Sequence, residues 1–220
     1  MALPKTFVEG FHDVKAVKKM PYRKLGNTGM ELSLIGFGGG GLSGFYEDFQ
    51  EKDAIEVVRE ALKKGINYID TAPYYGEGRS ETVIGKALKG VPRQAFYIST
   101  KVGRYSQKKE EQFNYTAVKI KSRFQTSLDL LGLDYVDIVI LHDVEFARME
   151  DIIHEAIPAL QEIIKSGKAR YLGISGYPLC RLEEVISKVN ANLDLVLSYS
   201  RDTLIDSSLH KYHPFFKSKN

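Results

Sequence analysis

The chain has 220 residues, 43% of them hydrophobic and 27% charged, which is enough material for a globular domain with a core of its own. Its 31 basic and 28 acidic residues leave a net charge of +3, too even for a nucleic-acid or anionic-lipid binder. One cysteine, Cys180, excludes an internal disulfide and a thiolate metal cluster, and no run reaches the ~20 apolar residues of a membrane span.

Residues 1–20 show little periodicity and read as an N-terminal extension, with 21–220 as the domain. Lys5, Glu9, Asp13 and Lys15 interrupt any signal-peptide core, so a reducing, cytoplasmic setting is expected. A strand pair is predicted at Tyr22–Leu25 and Glu31–Leu34 around the turn Gly26-Asn27-Thr28-Gly29. One unit then repeats: a short apolar strand, a loop, an amphipathic helix. The strands are predicted at Leu34–Gly38, Tyr68–Thr71, Phe96–Thr100, Val136–Leu141, Ala169–Ile174 and Leu195–Ser198. Helices are predicted at Lys52–Lys64, Glu81–Leu88, Thr116–Leu131, Ile152–Lys165 and Leu182–Val189. In the first of these, Ala54, Ile55, Val57, Val58, Ala61 and Leu62 make the apolar face.

Repeated β-α steps require parallel strands with crossover helices, in an α/β fold. No Gly-x-Gly-x-x-Gly follows a strand and opens a helix, so a dinucleotide-binding open sheet is disfavoured against a (β/α)8 TIM-type barrel. The run Gly38-Gly39-Gly40-Gly41 lies some ten residues before its helix, which suits a strand-end loop. Only residues 199–220 follow the sixth strand, with room for one helix near Leu204–Lys217 that Pro214 interrupts. A whole barrel takes ~250 residues. The expectation is an incomplete barrel, six of eight units, truncated before strand seven.

Barrel chemistry sits at the C-terminal ends of the strands. Those ends carry Asp70, Lys101, His142, Ser175 and Ser198, with Tyr75 in the loop after Asp70. A tyrosine is a poor proton donor near neutrality unless its phenolate is stabilised; a lysine ammonium does that, and an aspartate holds the lysine. A histidine can hydrogen-bond and orient a carbonyl oxygen. Asp70, Tyr75, Lys101 and His142 together thus make an acid–base set for carbonyl reduction or alcohol oxidation, with hydride from a cofactor. Taken singly, each has a bland reading: Asp70 as a loop cap, His142 as a satisfied core histidine, Tyr75 as one of 13 tyrosines. Lysine at a buried strand end is the unusual one. His142-Asp143 lacks a second strand-end histidine for a metal, so no metal is expected. Cys180 opens a helix, yet no base is evident beside it.

These residues, in this order, resemble the aldo-keto reductase superfamily. The matching segments are Tyr22-Arg23-Lys24-Leu25-Gly26 with Thr28-Gly29, Ile69-Asp70-Thr71-Ala72 with Tyr75-Gly76, and Ser99-Thr100-Lys101. Leu131-Gly132-Leu133-Asp134-Tyr135, Ile140-Leu141-His142 and Gly173-Ile174-Ser175 continue the match, which covers about residues 20–218. Ile174-Ser175-Gly176-Tyr177-Pro178-Leu179 and Leu197-Ser198-Tyr199-Ser200 resemble its branch of L-galactose and related aldose dehydrogenases. The resemblance implies an eight-stranded barrel using NADP(H) or NAD(H) on an aldose or another small carbonyl or alcohol. It implies Asp70, Tyr75, Lys101 and His142 as the catalytic set, with Tyr75 as the acid–base. It also implies Asp70, Ser175 and Ser198 on the cofactor side, Ser175 at the nicotinamide carboxamide. Two positions depart: Gly176 stands where such enzymes carry asparagine, and no glutamine is evident on strand six. Their loops after strands seven and eight grip the cofactor's phosphates, and no segment here matches those loops. The competing expectation is a catalytically inactive remnant that associates through the open barrel edges.

Overall fold

In the computed structural model, which describes residues 3–219, the strand-helix repeat forms one parallel sheet of six strands. A separate antiparallel hairpin, β1 (Tyr22–Lys24) and β2 (Glu31–Ser33), precedes it. The sheet strands then follow in chain order: β3 (Phe37–Gly38), β4 (Tyr68–Asp70), β5 (Tyr97–Val102), β6 (Val136–Leu141), β7 (Ala169–Gly176) and β8 (Leu195–Ser198). The helices are α1 (Val14–Val17), α2 (Glu51–Lys63), α3 (Arg79–Leu88), α4 (Lys109–Gln112), α5 (Ala117–Leu131), α6 (Met149–Asp151), α7 (Ile157–Lys165), α8 (Leu179–Lys188) and α9 (Leu209–Ser218). Spatial and sequence order coincide from β3 to β8, so the sheet is a barrel wall with six of eight staves.

Burial explains the layering. Every residue of β6 is buried, because helices cover one face and the barrel interior lies on the other. Ala54, Val58 and Leu62 recur at four-residue spacing along α2 and face the sheet, whereas Val57 is 56% exposed, contrary to its predicted place on that face. In α3, Gly85 lets α5 come close, since a Cβ there would strike the Leu130 carbonyl oxygen. Inside the wall, Ile138 and Ile140 pack with Met30 of the hairpin, and Leu32, Tyr68, Tyr97 and Leu197 surround them. Asn67 ties that plug down: its side-chain oxygen accepts the Ser33 amide at 2.7 Å, and its nitrogen donates to Glu31 O at 2.8 Å and Thr6 Oγ1 at 2.9 Å. The segment ahead of the hairpin packs as well. Asp13 caps α1, donates its backbone N–H to Lys63 O, and brings Val17 into the core.

Several boundaries move, each for a local reason. The strand predicted at Leu34–Gly38 shrinks to Phe37–Gly38. Among the described residues it pairs only with β4, and Leu34 and Ile35 stay exposed. The glycine run turns into a 3-10 segment, Gly39–Ser43, in which a Cβ on Gly39 would meet Ser80 Oγ at 2.6 Å and Asp70 O at 3.0 Å. The helix predicted at Ile152–Lys165 opens earlier, at Met149, and passes through a π turn at Ile152–Ala156. Pro158 near the start of α7 lacks an N–H and crowds the preceding turn, and the wider turn absorbs it. The tail helix begins only at Leu209, because Arg201, Thr203, Asp206 and Ser208 bond among themselves and hold residues 201–208 as a loop.

The one charged residue inside β6 is Asp137, whose side chain is 1% exposed. It accepts from Arg93 at 2.6 Å, from the Ile98 amide at 2.9 Å, and from Arg170 at 3.4 Å. Replacing it with alanine leaves a guanidinium and a buried amide without their acceptor. Asp137→Ala is expected to cost about 2–4 kcal/mol, discounted for the partial exposure of Arg93. Urea unfolding followed by circular dichroism measures this, and a loss under ~1 kcal/mol would contradict the assignment.

Candidate active site

Strand period places the polar residues. On β4, Tyr68 and Asp70 share a face, and on β5 so do Tyr97, Ser99 and Lys101. The register pairs Asp70 with Ser99, which brings the two polar faces together. Lys101 is fully buried, and its ammonium is surrounded: Asp70 Oδ2 at 2.6 Å, Tyr75 Oη at 3.0 Å and Thr71 O at 3.1 Å. Asp70 is held in turn by Ser99 Oγ at 2.7 Å, which meets Tyr68 Oη at 2.8 Å. His142 follows the last residue of β6, its amide donating to Val102 O at 2.8 Å. Its ring stands edge-on to Tyr75, centroids 6.0 Å apart and planes at 88°. The four residues predicted as an acid–base set are therefore one cluster.

The electrostatics separate their roles. Burial alone would lower Lys101, but the charge of Asp70 and the hydrogen bonds to Asp70 and Tyr75 outweigh it, and its pKa ends above the ordinary value. Burial pushes the Tyr75 phenol up, with Lys101 opposing. Only the opposing part is apparent from the sequence. Tyr75 therefore keeps its proton at neutral pH, and the ammonium beside it is poised to stabilise the phenolate once the proton leaves. His142 is driven well below the usual imidazole value by burial and then by the charges of Lys101 and Arg104, so it is neutral. Its Nδ1 is buried without a hydrogen-bond partner among the described residues.

A second cation stands at the mouth, where the sequence gives no sign of it. Arg104 pairs with Asp143 at 2.8 Å and stacks on Tyr74, 3.7 Å from the ring centroid. Asp143 takes a left-handed conformation, φ 52°, and Tyr115 Oη donates to the carbonyls of His142 and Asp143 at 2.9 and 2.8 Å. Ser99 could have been found from the period of β5; Arg104 and Asp143 lie in loops, where periodicity is silent.

Ser175 falls inside β7, which runs two residues further than predicted, and its hydroxyl accepts the Asp143 amide at 3.1 Å and also favours the charged form of the Asp143 carboxyl by side-chain hydrogen bonding. Ser198 is not brought to the cluster. It pairs with Gly176 at the outer strand and lines a groove of about 810 Å³ between β8 and α9, together with Leu195, Leu197, Leu209 and Phe216. Cys180 lies exposed in α8. Among the described residues there is no group of three or more metal-ligating side chains, and no helix is long and apolar enough to cross a membrane.

The profile of the Aldo/keto reductase family matches residues 34–211. The chain belongs to the aldo/keto reductase family. It is 42% identical over 204 residues to an L-galactose dehydrogenase of Arabidopsis thaliana, covering 91% of this chain and 63% of that protein. It is 37% identical over 192 residues to a D-arabinose 1-dehydrogenase of Saccharomyces cerevisiae, 81% of this chain and 55% of the relative. Among solved structures it is similar to the holo form of the aldo-keto reductase AKR11C1 from Bacillus halodurans, with TM-score 0.77 and 32% identity, covering 91% and 63% of the two chains. The chain thus spans under two thirds of the length of these relatives.

A histidine buried neutral carries a pH signature. In the unfolded chain His142 titrates near 6.5, whereas in the folded protein it does so well below. Between those values only the unfolded state takes up the proton, so stability falls as pH drops through about 6.5, with a slope approaching ~1.4 kcal/mol per pH unit. His142→Gln is expected to flatten that slope in urea unfolding at pH 7.0 to 5.0. Comparing the two proteins isolates His142 from Asp143 and Glu81, whose raised values act in the opposite direction. Parallel pH profiles for the two would overturn the assignment.

Proposed function

We propose that this segment carries the proton-transfer half of a nicotinamide-dependent oxidoreductase acting on an aldose or a similar small carbonyl or alcohol. The observation that carries the reading is the buried ammonium of Lys101 shared between Asp70 and the Tyr75 hydroxyl. The names of the sugar-dehydrogenase relatives support the substrate class.

In the reducing direction, Tyr75 gives its proton to the carbonyl oxygen and Lys101 stabilises the phenolate that remains. Neutral His142 donates one ring N–H to the same oxygen and orients it. In the oxidising direction the phenolate takes the proton back. In the proton transfer Asp70 acts through the lysine, fixing it where the tyrosine needs it. The polar set suits the ring end of a nicotinamide: Ser175 is buried at a strand end beside His142 and Asp143, and it and Asp70 would hold that end, with Ser198 further out. A bound nicotinamide supplies or accepts the hydride, which no side chain can do.

With the remainder of the relatives' length supplied to this segment, Tyr75→Phe is expected to lower kcat by about 10²-fold or more while cofactor affinity changes less than ~2-fold. Lys101→Met is expected to be similarly severe. Steady-state oxidation of L-galactose and D-arabinose with NAD+ and NADP+ reads both, and retention of most of the wild-type kcat by Tyr75→Phe would remove the tyrosine from the reaction. For the 220-residue polypeptide by itself, fluorescence titration with NADPH is expected to show binding weaker than micromolar, because the resemblance puts the phosphate-gripping loops after strands seven and eight.

One observation favours a second reading. Among the described residues β8 has no neighbour beyond β7, and it borders an apolar groove, an arrangement that invites edge pairing. If association is what the segment does, light scattering after size-exclusion chromatography will show a mass rising with concentration. A monomer at every concentration would dismiss it.

A further inference from the structure

A carboxyl group lies buried behind the acid–base cluster, on the helix side of the sheet. Glu81, in the first turn of α3, is 1% exposed. Thr100 Oγ1 donates to its Oε1 at 2.6 Å, and its Oε2 is buried without a hydrogen-bond partner among the described residues. Burying an acid this way is unfavourable and calls for a compensating role. Burial pushes its pKa up, against the pull of Thr100 and Ser127, which favours the neutral acid.

The position shows what the contact fixes. Thr100 immediately precedes Lys101 on β5, so its side chain points to the helices while the lysine points inward. Tyr75 hangs from the loop between β4 and α3, and the far end of that loop is the first turn of α3: the Ser80 amide donates to Tyr75 O at 3.1 Å. Ser80 Oγ meets Thr71 Oγ1 at 2.8 Å and Gly39 O at 2.8 Å, which ties the same turn to the start of the loop and to the end of β3. These bonds locate α3 against β3 and β4. The bond from Thr100 to Glu81 is the side-chain hydrogen bond that locates it against β5, the strand that carries the lysine.

We propose that Glu81 is a positioning residue: through Thr100 it sets the separation between the Lys101 ammonium and the Tyr75 hydroxyl. The inference rests on the reading of Lys101 and Tyr75 as a functional pair, and neither Glu81 nor Thr100 touches the reacting atoms. Losing the bond lets β5 and the tyrosine loop drift apart, which weakens the ammonium's hold on the phenolate and leaves burial to push the phenol higher.

The 220-residue chain labelled with 3-fluorotyrosine tests this by fluorine NMR, since fluorination brings phenol titrations into an accessible pH range; Tyr75→Phe assigns the resonance. In Glu81→Ala and in the near-isosteric Thr100→Val, the Tyr75 titration is expected to rise by about half a pH unit or more, a roughly threefold change in ionisation constant. Glu81→Gln keeps the acceptor oxygen and the neutral charge, and is expected to restore the wild-type value. Lys101→Met separates the two ideas: if it leaves the Tyr75 titration unchanged, the pair itself is misread. If Lys101→Met raises the titration while Glu81→Ala and Thr100→Val match wild type, the pair stands and the proposal for Glu81 falls. A Glu81→Gln protein that shifts as far as Glu81→Ala also overturns it. Should Glu81→Ala fail to fold, the Thr100→Val titration alone decides: a rise supports the proposal, and a wild-type value overturns it.

Discussion

An ammonium group buried inside a β-strand is expensive to desolvate, and the arrangement of strand ends in this protein follows from keeping Lys101 satisfied. Its three partners come from one strand end and the loop behind it: the carboxylate of Asp70, the carbonyl of Thr71 and the hydroxyl of Tyr75. The partners can converge only if β4 and β5 are parallel and in a register that sets Asp70 beside Ser99. A slip by one residue would turn either the lysine or the aspartate to the helix layer and strand a charge in the core. The sheet register and the site geometry are thus one requirement.

Around that charge the site is built from neutral groups held off their ordinary pKa values in opposite directions. Burial raises Tyr75 and lowers His142, so both are uncharged near neutrality, one with a proton to give and the other with an N–H to offer. The full charges are confined to two pairs, Lys101 with Asp70 and Arg104 with Asp143. Each pair adjoins one neutral group: the lysine touches Tyr75, and Asp143 follows His142 in the chain, its Oδ1 3.6 Å from the imidazole Nε2. Burial, more than either charged pair, keeps both groups neutral, raising the phenol and lowering the imidazole.

The parallel units are legible in the sequence because their signals are periodic. Helix faces at α2 and α5 and the apolar run of β6, broken only by Asp137, recur at spacings that only one kind of structure satisfies. Asp70, Lys101, His142 and Ser175 are legible because a strand end is a place that can be counted to. What periodicity cannot reach is chemistry held in turns. Arg104, Asp143 and Tyr74 meet through a left-handed residue and a stacked guanidinium, neither of which leaves a spacing in the sequence. Boundaries differ where tertiary contacts override the local pattern: Leu34 and Ile35 look like strand residues yet have no sheet to join, and Pro158 changes the pitch of a helix instead of stopping it. Glu81 is a helix residue in the sequence and nothing more, since a buried acid and an exposed one look alike in a string of letters.

The hairpin that plugs the base of the wall bears on how the chain reaches this state. Tyr171 of β7 donates its hydroxyl to the carbonyl of Thr28, across 143 residues of sequence. The entropy of closing so long a loop is offset only after the strands between are in place. The hairpin is synthesised early and meets Asn67 soon after, but the rest of its docking surface includes residues made much later, among them Ile138, Ile140 and Tyr171. During synthesis from the N-terminus, Met30 and Leu32 therefore wait for that surface. The contact between Tyr171 and Thr28 therefore joins the first hairpin of the chain to one of its last strands.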